Sequence, residues 1–310
     1  MMANSTSKFT HLPVLCAETI AQVVTDPAGI YVDATFGRGG ATRALLKQLK
    51  PSASVWCIDK DAAAITAAHE LGDPRLVIRH GSFTQLDGWL QEAGIEAVDG
   101  IMMDLGVSSP QLDDASRGFS FLRDGPLDMR MDQNAPVTAA DLLNSLKYEK
   151  LREILIKYGE VKFPGKIARA IIAARETVPF TSTKQLAELV ARVVPTVNKH
   201  KHPATQVFQA LRIEVNQELT ELEQALPLFF ARLRLGGRLA VITFHSLEDR
   251  IVKSFIRTQQ HCELPEWVPV SAEDCQAHLK IIAKNSASDE EIQKNPRARS
   301  AKLWVIEKLL

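Results

Sequence analysis

Val32-Asp33-Ala34-Thr35-Phe36-Gly37-Arg38-Gly39-Gly40-Ala41-Thr42 reads as a short apolar strand that ends in an acid, turns through glycines and opens a helix. A second strand, Val55-Trp56-Cys57-Ile58-Asp59, ends in another acid 26 positions after Asp33. This is the first half of a nucleotide-binding βαβ unit, in which glycines let the backbone approach a ligand and the second acid binds ribose hydroxyls. Gly37 and Gly39 fill the first two places of the dinucleotide fingerprint, but Thr42 stands in the third and Gly40 directly follows Gly39. A pyrophosphate therefore loses part of its seat. An S-adenosyl ligand has no phosphate, and its cationic sulfonium favours carboxylates such as Asp33. These residues favour a methyltransferase over an NAD-dependent oxidoreductase and leave both open, because one fold hosts many functions.

Outward from this unit, further apolar strands are expected at Leu76–Arg79, Val98–Asp104 and Arg238–Thr243, after strands at Ile30–Ala34 and Val55–Asp59. Helical patterns at Ala41–Gln48, Ala62–Glu70 and Thr84–Ala93 separate the first of them, as in an open α/β sheet. Past Asp104 the alternation stops. Asp141–Tyr158, Lys166–Arg175, Thr183–Val194 (with Thr183 as a cap) and Thr205–Phe230 all read as helices. The expected fold is a class I, Rossmann-like α/β sheet with an all-helical domain inserted between strands 4 and 5. The boundaries fall at residues 1–135 and 216–310 for the two parts of the sheet domain and 136–215 for the insert. A helix at Leu247–Phe255 follows the fifth strand. Leu279–Ala283 and Lys302–Glu307 would form a terminal hairpin, with a polar, acidic, mobile loop at Asn285–Lys294.

The chain has 310 residues, 45% hydrophobic and 24% charged, ordinary for a globular protein of one or two domains. No apolar run reaches the length of a membrane helix, and the polar N-terminus lacks a signal-peptide core. Cys16, Cys57, Cys262 and Cys275 form no Cys-x-x-Cys pair, which points to a reducing cytoplasm. His261, Cys262, Cys275 and His278 match no zinc-finger spacing, and no metal is expected. Net charge is zero, but Lys147 to Arg212 holds 13 Lys and Arg against 5 Glu and no Asp, a net of +8. That is either a polyanion contact or a set of solvated helix faces.

The chemistry-bearing stretches lie at strand ends. Met103-Asp104-Leu105-Gly106-Val107-Ser108-Ser109-Pro110-Gln111 closes the fourth strand, and open sheets bind ligands outside these carboxyl ends. Asp33, Asp59 and Asp104 would line one crevice. Methylating a pyrimidine carbon needs a cysteine nucleophile, and no cysteine lies at a strand end near Asp104. An exocyclic amine needs only an acceptor to hold it, so N-methylation fits better. His245, in Thr243-Phe244-His245-Ser246-Leu247-Glu248-Asp249-Arg250, stands over the same crevice or is structural. Arg117, Phe119 and Arg123 mix arginine with aromatic residues, a pattern that binds RNA or plugs a core. Lys199 and Lys201, and Arg297 and Arg299 in Asn295-Pro296-Arg297-Ala298-Arg299-Ser300, either grip phosphate or are solvated.

The blocks at Asp33–Gly40, Asp104–Asp113, Phe244–Arg250 and Asn295–Ser300, in this order, resemble the bacterial ribosomal RNA small-subunit methyltransferase H family, also called MraW. The resemblance runs from about His11 to the C-terminus. It implies N4-methylation of a cytidine in the decoding region of 16S ribosomal RNA, free or in the small ribosomal subunit, with S-adenosyl-L-methionine as cofactor. It also implies that Gly39, Gly40, Ala41, Asp59, Phe83, Asp104 and Gln111 hold that cofactor, with Asp33 and Gly37 beside them. Family members often carry His where this chain has Ala41; a backbone contact there would survive the change, whereas a side-chain contact would be lost and lower the affinity. Against this reading stand an NAD-dependent oxidoreductase and an RNA-binding factor without catalysis, the latter disfavoured by Asp33, Asp59 and Asp104.

Overall fold

The computed structural model describes residues 13–194, 202–260 and 277–310. Two compact units emerge: residues 1–59, 63–105 and 224–310 form the first, and residues 60–62 and 106–223 the second.

The first unit is built on a seven-stranded sheet. In chain order it holds α1 (Cys16–Val23), β1 (Ile30–Asp33), α2 (Gly40–Leu46), β2 (Ser54–Asp59), α3 (Ala62–Leu71), β3 (Leu76–His80), α4 (Leu86–Glu92) and β4 (Val98–Asp104). The strand order is β3-β2-β1-β4-β5-β7-β6, where β5 is Leu233–Thr243, β6 Leu279–Ser286 and β7 Lys302–Lys308. β1 to β5 run parallel, and β7 is antiparallel to both β5 and β6. The middle strands are buried on both faces, which is why they read as unbroken apolar runs. Tyr31, Val55, Cys57, Leu303 and Val305 lie in one core cluster with Leu45 and Ile20, and each buried Val, Leu or Ile side chain among them contributes about 1.5–3 kcal/mol by leaving water. Parallel register brings the acids at the ends of β1, β2 and β4 to one edge: Asp33 pairs with Cys57 and Met102, Asp59 with His80 and Asp104 with Ile242.

Between β4 and β5 every regular element among the described residues is helical. They are α5 (Ser109–Asp113), α6 (Ala139–Ser145), α7 (Tyr148–Lys157), α8 (Pro164–Arg175), α9 (Thr183–Val193), α10 (Ala204–Asn216) and α11 (Glu218–Arg232). The second unit therefore takes in residues 106–135 and 216–223 as well as the expected insert.

Several local expectations change. The single helix read over Asp141–Tyr158 is two, because Leu146 and Lys147 are extended between α6 and α7. Likewise Thr205–Phe230 breaks at Gln217, which is left-handed with φ 53°. The amide side chain of Asn216 explains that break: it donates to the carbonyls of Met129 and Arg212 and accepts from the Met131 amide, contacts that a periodic pattern does not register. Ser182, not Thr183, caps α9, in a capping box with Gln185, while Thr183 is fully buried. The stretch Asn285–Lys294 is ordered: β6 extends to Ser286, and Ser288 caps α13 (Asp289–Lys294), whose first turn holds three acids that suit a helix N-terminus. β6 and β7 do pair antiparallel, joined through α13 and a 3-10 turn at Pro296–Ser300. After β5, α12 (Ser246–Gln260) extends past the expected Phe255.

Candidate active site

Gly37 and Gly39 both adopt positive φ, 57° and 71°. At Gly39 the space is closed as well, since a Cβ there would meet the Phe36 ring at 2.5 Å. Only glycine makes this turn, which delivers Gly40 and Ala41 as the first residues of α2. The Gly37 amide donates to Asp59 Oδ2 at 2.7 Å, tying the turn to the end of β2.

Asp33 is buried beneath the turn. Its Oδ2 accepts from the Thr42 hydroxyl at 2.5 Å and its Oδ1 from the Thr35 amide at 3.3 Å. Burial pushes its carboxyl up to about 6, with the charge of Asp59 adding to this and the two hydrogen bonds opposing it. Thr42, the residue in the third fingerprint position, thus holds an acid rather than clearing a path for phosphate. Thr35 works from the other side, its hydroxyl accepting from the Asp104 amide at 2.6 Å.

Asp104 is partly exposed as a residue, yet its Oδ1 is buried and has no hydrogen-bond partner. Burial, then the charges of Asp33 and Glu248, push its carboxyl up to about 8. An orphaned buried acceptor next to two other acids is a place of negative potential. A sulfonium cation fits it. The glycine turn and Asp59 fit the nucleoside part of the same cofactor. Phe83 opens the 3-10 turn after β3, is partly exposed, and meets Phe229 edge-on with ring centres 6.1 Å apart.

His245 follows β5 and serves the start of α12. Its Nδ1 accepts from the Glu248 amide at 3.4 Å, and its Nε2 lies 3.1 Å from Glu248 Oε1 but out of line for a hydrogen bond. Glu248 is buried; its Oε2 accepts from the amides of Phe244 at 2.7 Å and His245 at 3.2 Å. This carboxylate was missed in the sequence, although its i+3 spacing from His245 carried the capping signal. Neither described cysteine ends a strand: Cys16 opens α1 and Cys57 lies inside β2. Burial and the charges of Asp104 and Asp33 push the Cys16 thiol up to about 11. Burial raises Cys57 still further, so neither offers a thiolate.

In the second unit Gln111 is buried and engaged: its Oε1 accepts from the Ser108 amide and its Nε2 donates to Asp61 at 2.9 Å. Arg117 is equally committed. It donates to Asp61 at 2.7 Å and to the carbonyls of Arg130 and Met131, and it is buried with Phe119. Neither Arg117 nor Phe119 presents a surface to RNA, because both complete the core of their own unit. Arg123 is exposed, as are Arg297 and Arg299 in the first unit. Lys199, Lys201, His261, Cys262 and Cys275 lie outside the described residues. Among the described residues no group of three or more His, Cys, Asp or Glu could hold a metal ion, and no helix is long and apolar enough to cross a membrane.

Five parallel strands in the order 3-2-1-4-5 with an antiparallel β7 between β5 and β6, and acids ending β1, β2 and β4 beside a glycine turn, define a class I methyltransferase. The sequence pattern described as the MraW methylase family matches residues 8–309, and the chain belongs to that family. It is 50% identical to a ribosomal RNA small subunit methyltransferase H of Thiobacillus denitrificans over 302 residues, 96% of this chain and 97% of that one. It is 48% identical to one of Shewanella pealeana over 310 residues, 98% of each chain.

Proposed function

We propose that this protein transfers a methyl group from S-adenosyl-L-methionine to the N4 amine of a cytidine in the decoding region of 16S ribosomal RNA, in the cytoplasm, on free RNA or on the small subunit. The single observation that carries the chemistry is the orphaned, buried Oδ1 of Asp104 at the end of β4. The cofactor supplies an electrophilic methyl group. The backbone of Gly39, Gly40 and Ala41, with Asp59, Phe83 and Asp104, would hold it, supported by Asp33 and Gly37.

The remaining work falls to this chain's own groups. A cytosine amine has its lone pair delocalised into the ring. Asp104, as carboxylate, accepts a hydrogen bond from that amine, localises the lone pair and receives the proton the amine must shed. His245, held by Glu248, is the second candidate for that proton. No covalent step on the base is needed, in keeping with protonated thiols at Cys16 and Cys57. The target base must leave its stack to reach a strand-end site. Arg123, Lys199, Lys201, Arg297 and Arg299 are the proposed contacts to the RNA backbone.

The deciding experiment is mass mapping of methylated cytidines in 16S ribosomal RNA from cells lacking the protein, complemented with wild type or Asp104→Ala. One N4-methyl mark should vanish in the deletion, return with wild type and stay absent with the variant. An unchanged methylation map in the deletion would overturn the reading.

A further inference from the structure

In the second unit three polar side chains converge over one glycine. A Cβ placed on Gly165 would lie 2.9 Å from the Tyr148 hydroxyl, 3.6 Å from Arg169 Nη2 and 3.7 Å from Arg152 Nε. Arg169 is held there: its Nε donates to the Gly165 carbonyl at 3.1 Å, and its guanidinium lies 5.9 Å from the centre of the Tyr148 ring. Two guanidinium groups drawn together repel, and a folded protein ordinarily relieves this with a carboxylate. Among the described residues no ion pair joins either arginine to an acid, and Glu153, the neighbour of Arg152, faces Lys150 instead. Both arginines are exposed, as are Lys162 and Lys166, which flank Gly165 in sequence. Phe163, two residues before Gly165, is 49% exposed.

An anion matches the donors that converge beside Gly165. A carboxylate is planar and has two oxygens, whereas a phosphate offers acceptors to donors arriving from three directions, and guanidinium forks match it well. Cations with an exposed aromatic ring beside them are the means by which single-stranded RNA is gripped. We propose that Tyr148, Arg152 and Arg169 clamp one backbone phosphate of the RNA substrate, with Lys162 and Lys166 on flanking phosphates and Phe163 against an unstacked base. This rests on the reading that the substrate is ribosomal RNA.

The test uses the full chain and a decoding-region fragment of 16S ribosomal RNA. Arg152→Ala with Arg169→Ala should weaken filter binding about tenfold and flatten the log–log salt slope by about 0.7, one phosphate's share for a single strand. The KM for RNA should rise while kcat and S-adenosylmethionine affinity stay unchanged. Gly165→Leu, whose Cβ would push aside the Tyr148 hydroxyl while every charge is kept, should weaken RNA binding in the same way. Wild-type affinity and slope in both variants would overturn the clamp, even if the wild-type enzyme methylates RNA normally. Should wild type transfer no methyl group to RNA, the functional reading fails, and filter binding alone still decides the clamp.

Discussion

Gly37 gives its amide proton to Asp59 Oδ2 at 2.7 Å, so the turn after β1 and the end of β2 are one hydrogen-bonded unit. Asp59 therefore shapes the glycine turn as well as standing in the proposed cofactor site. Replacing it would loosen the loop and remove the proposed acceptor for ribose together.

Asp59→Ala is expected to weaken S-adenosylmethionine by about 2–4 kcal/mol, the worth of charge-assisted hydrogen bonds at the ribose. Asp59→Asn retains an oxygen for the Gly37 amide and should lose less. Calorimetric titration of the folded variants measures both. Wild-type affinity in Asp59→Ala would detach this residue from the cofactor.

Gly39→Ala places a methyl group 2.5 Å from the Phe36 ring on a backbone of φ 71°. Gly72→Ala meets the same kind of φ, 63°, with nothing within 4 Å. The first should lower stability by about 2–4 kcal/mol and the second by about 1–2, since only the first adds a clash to the left-handed strain. Urea melts read the difference, and equal losses would mean that the close approach at Gly39 carries no weight.

The buried acids make ligand-free stability depend on pH. Asp33 is raised to about 6 and Asp104 to about 8, so between about pH 4 and 8 the folded state binds more protons at these positions than the unfolded chain does. Their contribution is therefore most favourable at the acid end and is lost as pH rises through that window. Asp104→Asn should raise the melting temperature relative to wild type, with a gap that widens from pH 5 to pH 9. A gap independent of pH would contradict the raised carboxyl.

Glu248 adds to the charge that raises Asp104. Glu248→Gln keeps an oxygen for the Phe244 and His245 amides but removes that charge. If methyl transfer needs ionised Asp104, the acid limb of its pH profile should move to lower pH in this variant. An unmoved midpoint in kcat/KM would assign the limb to another group.

Arg117 and Asp61 pair at 2.7 Å with side chains only 10% and 8% exposed. Arg117→Leu leaves a buried acid without its cation and should cost about 3–5 kcal/mol of stability. The salt slope of RNA binding should not change, whereas Arg123→Glu, on an exposed residue, should flatten it. A fully stable Arg117→Leu protein with weakened RNA binding would return Arg117 to the RNA contacts.

The sheet was legible because its signals are local. Buried parallel strands are apolar throughout, so β1, β2 and β4 announce themselves, and the acids that close them follow directly in the chain. The glycine turn was legible for the same reason, as positive φ beside Phe36 admits no other residue. Helix ends were less so. The break at Gln217 depends on Asn216 reaching the segment from Met129 to Met131, more than 80 residues away in sequence, and the break at Leu146–Lys147 has no glycine or proline to mark it. The site shows the same division. Residue types and spacing place Asp33, Asp59 and Asp104 at the ends of β1, β2 and β4 by themselves. Only tertiary structure sets their ionisation, because burial and the charges brought in from β1 and α12 decide what Asp104 is at neutral pH. It likewise decides that Arg117 is a core cation and that Arg152 and Arg169, 17 positions apart, meet over Gly165. Periodicity and turn chemistry are written along the chain, whereas desolvation and charge coupling arise from the residues that folding places side by side.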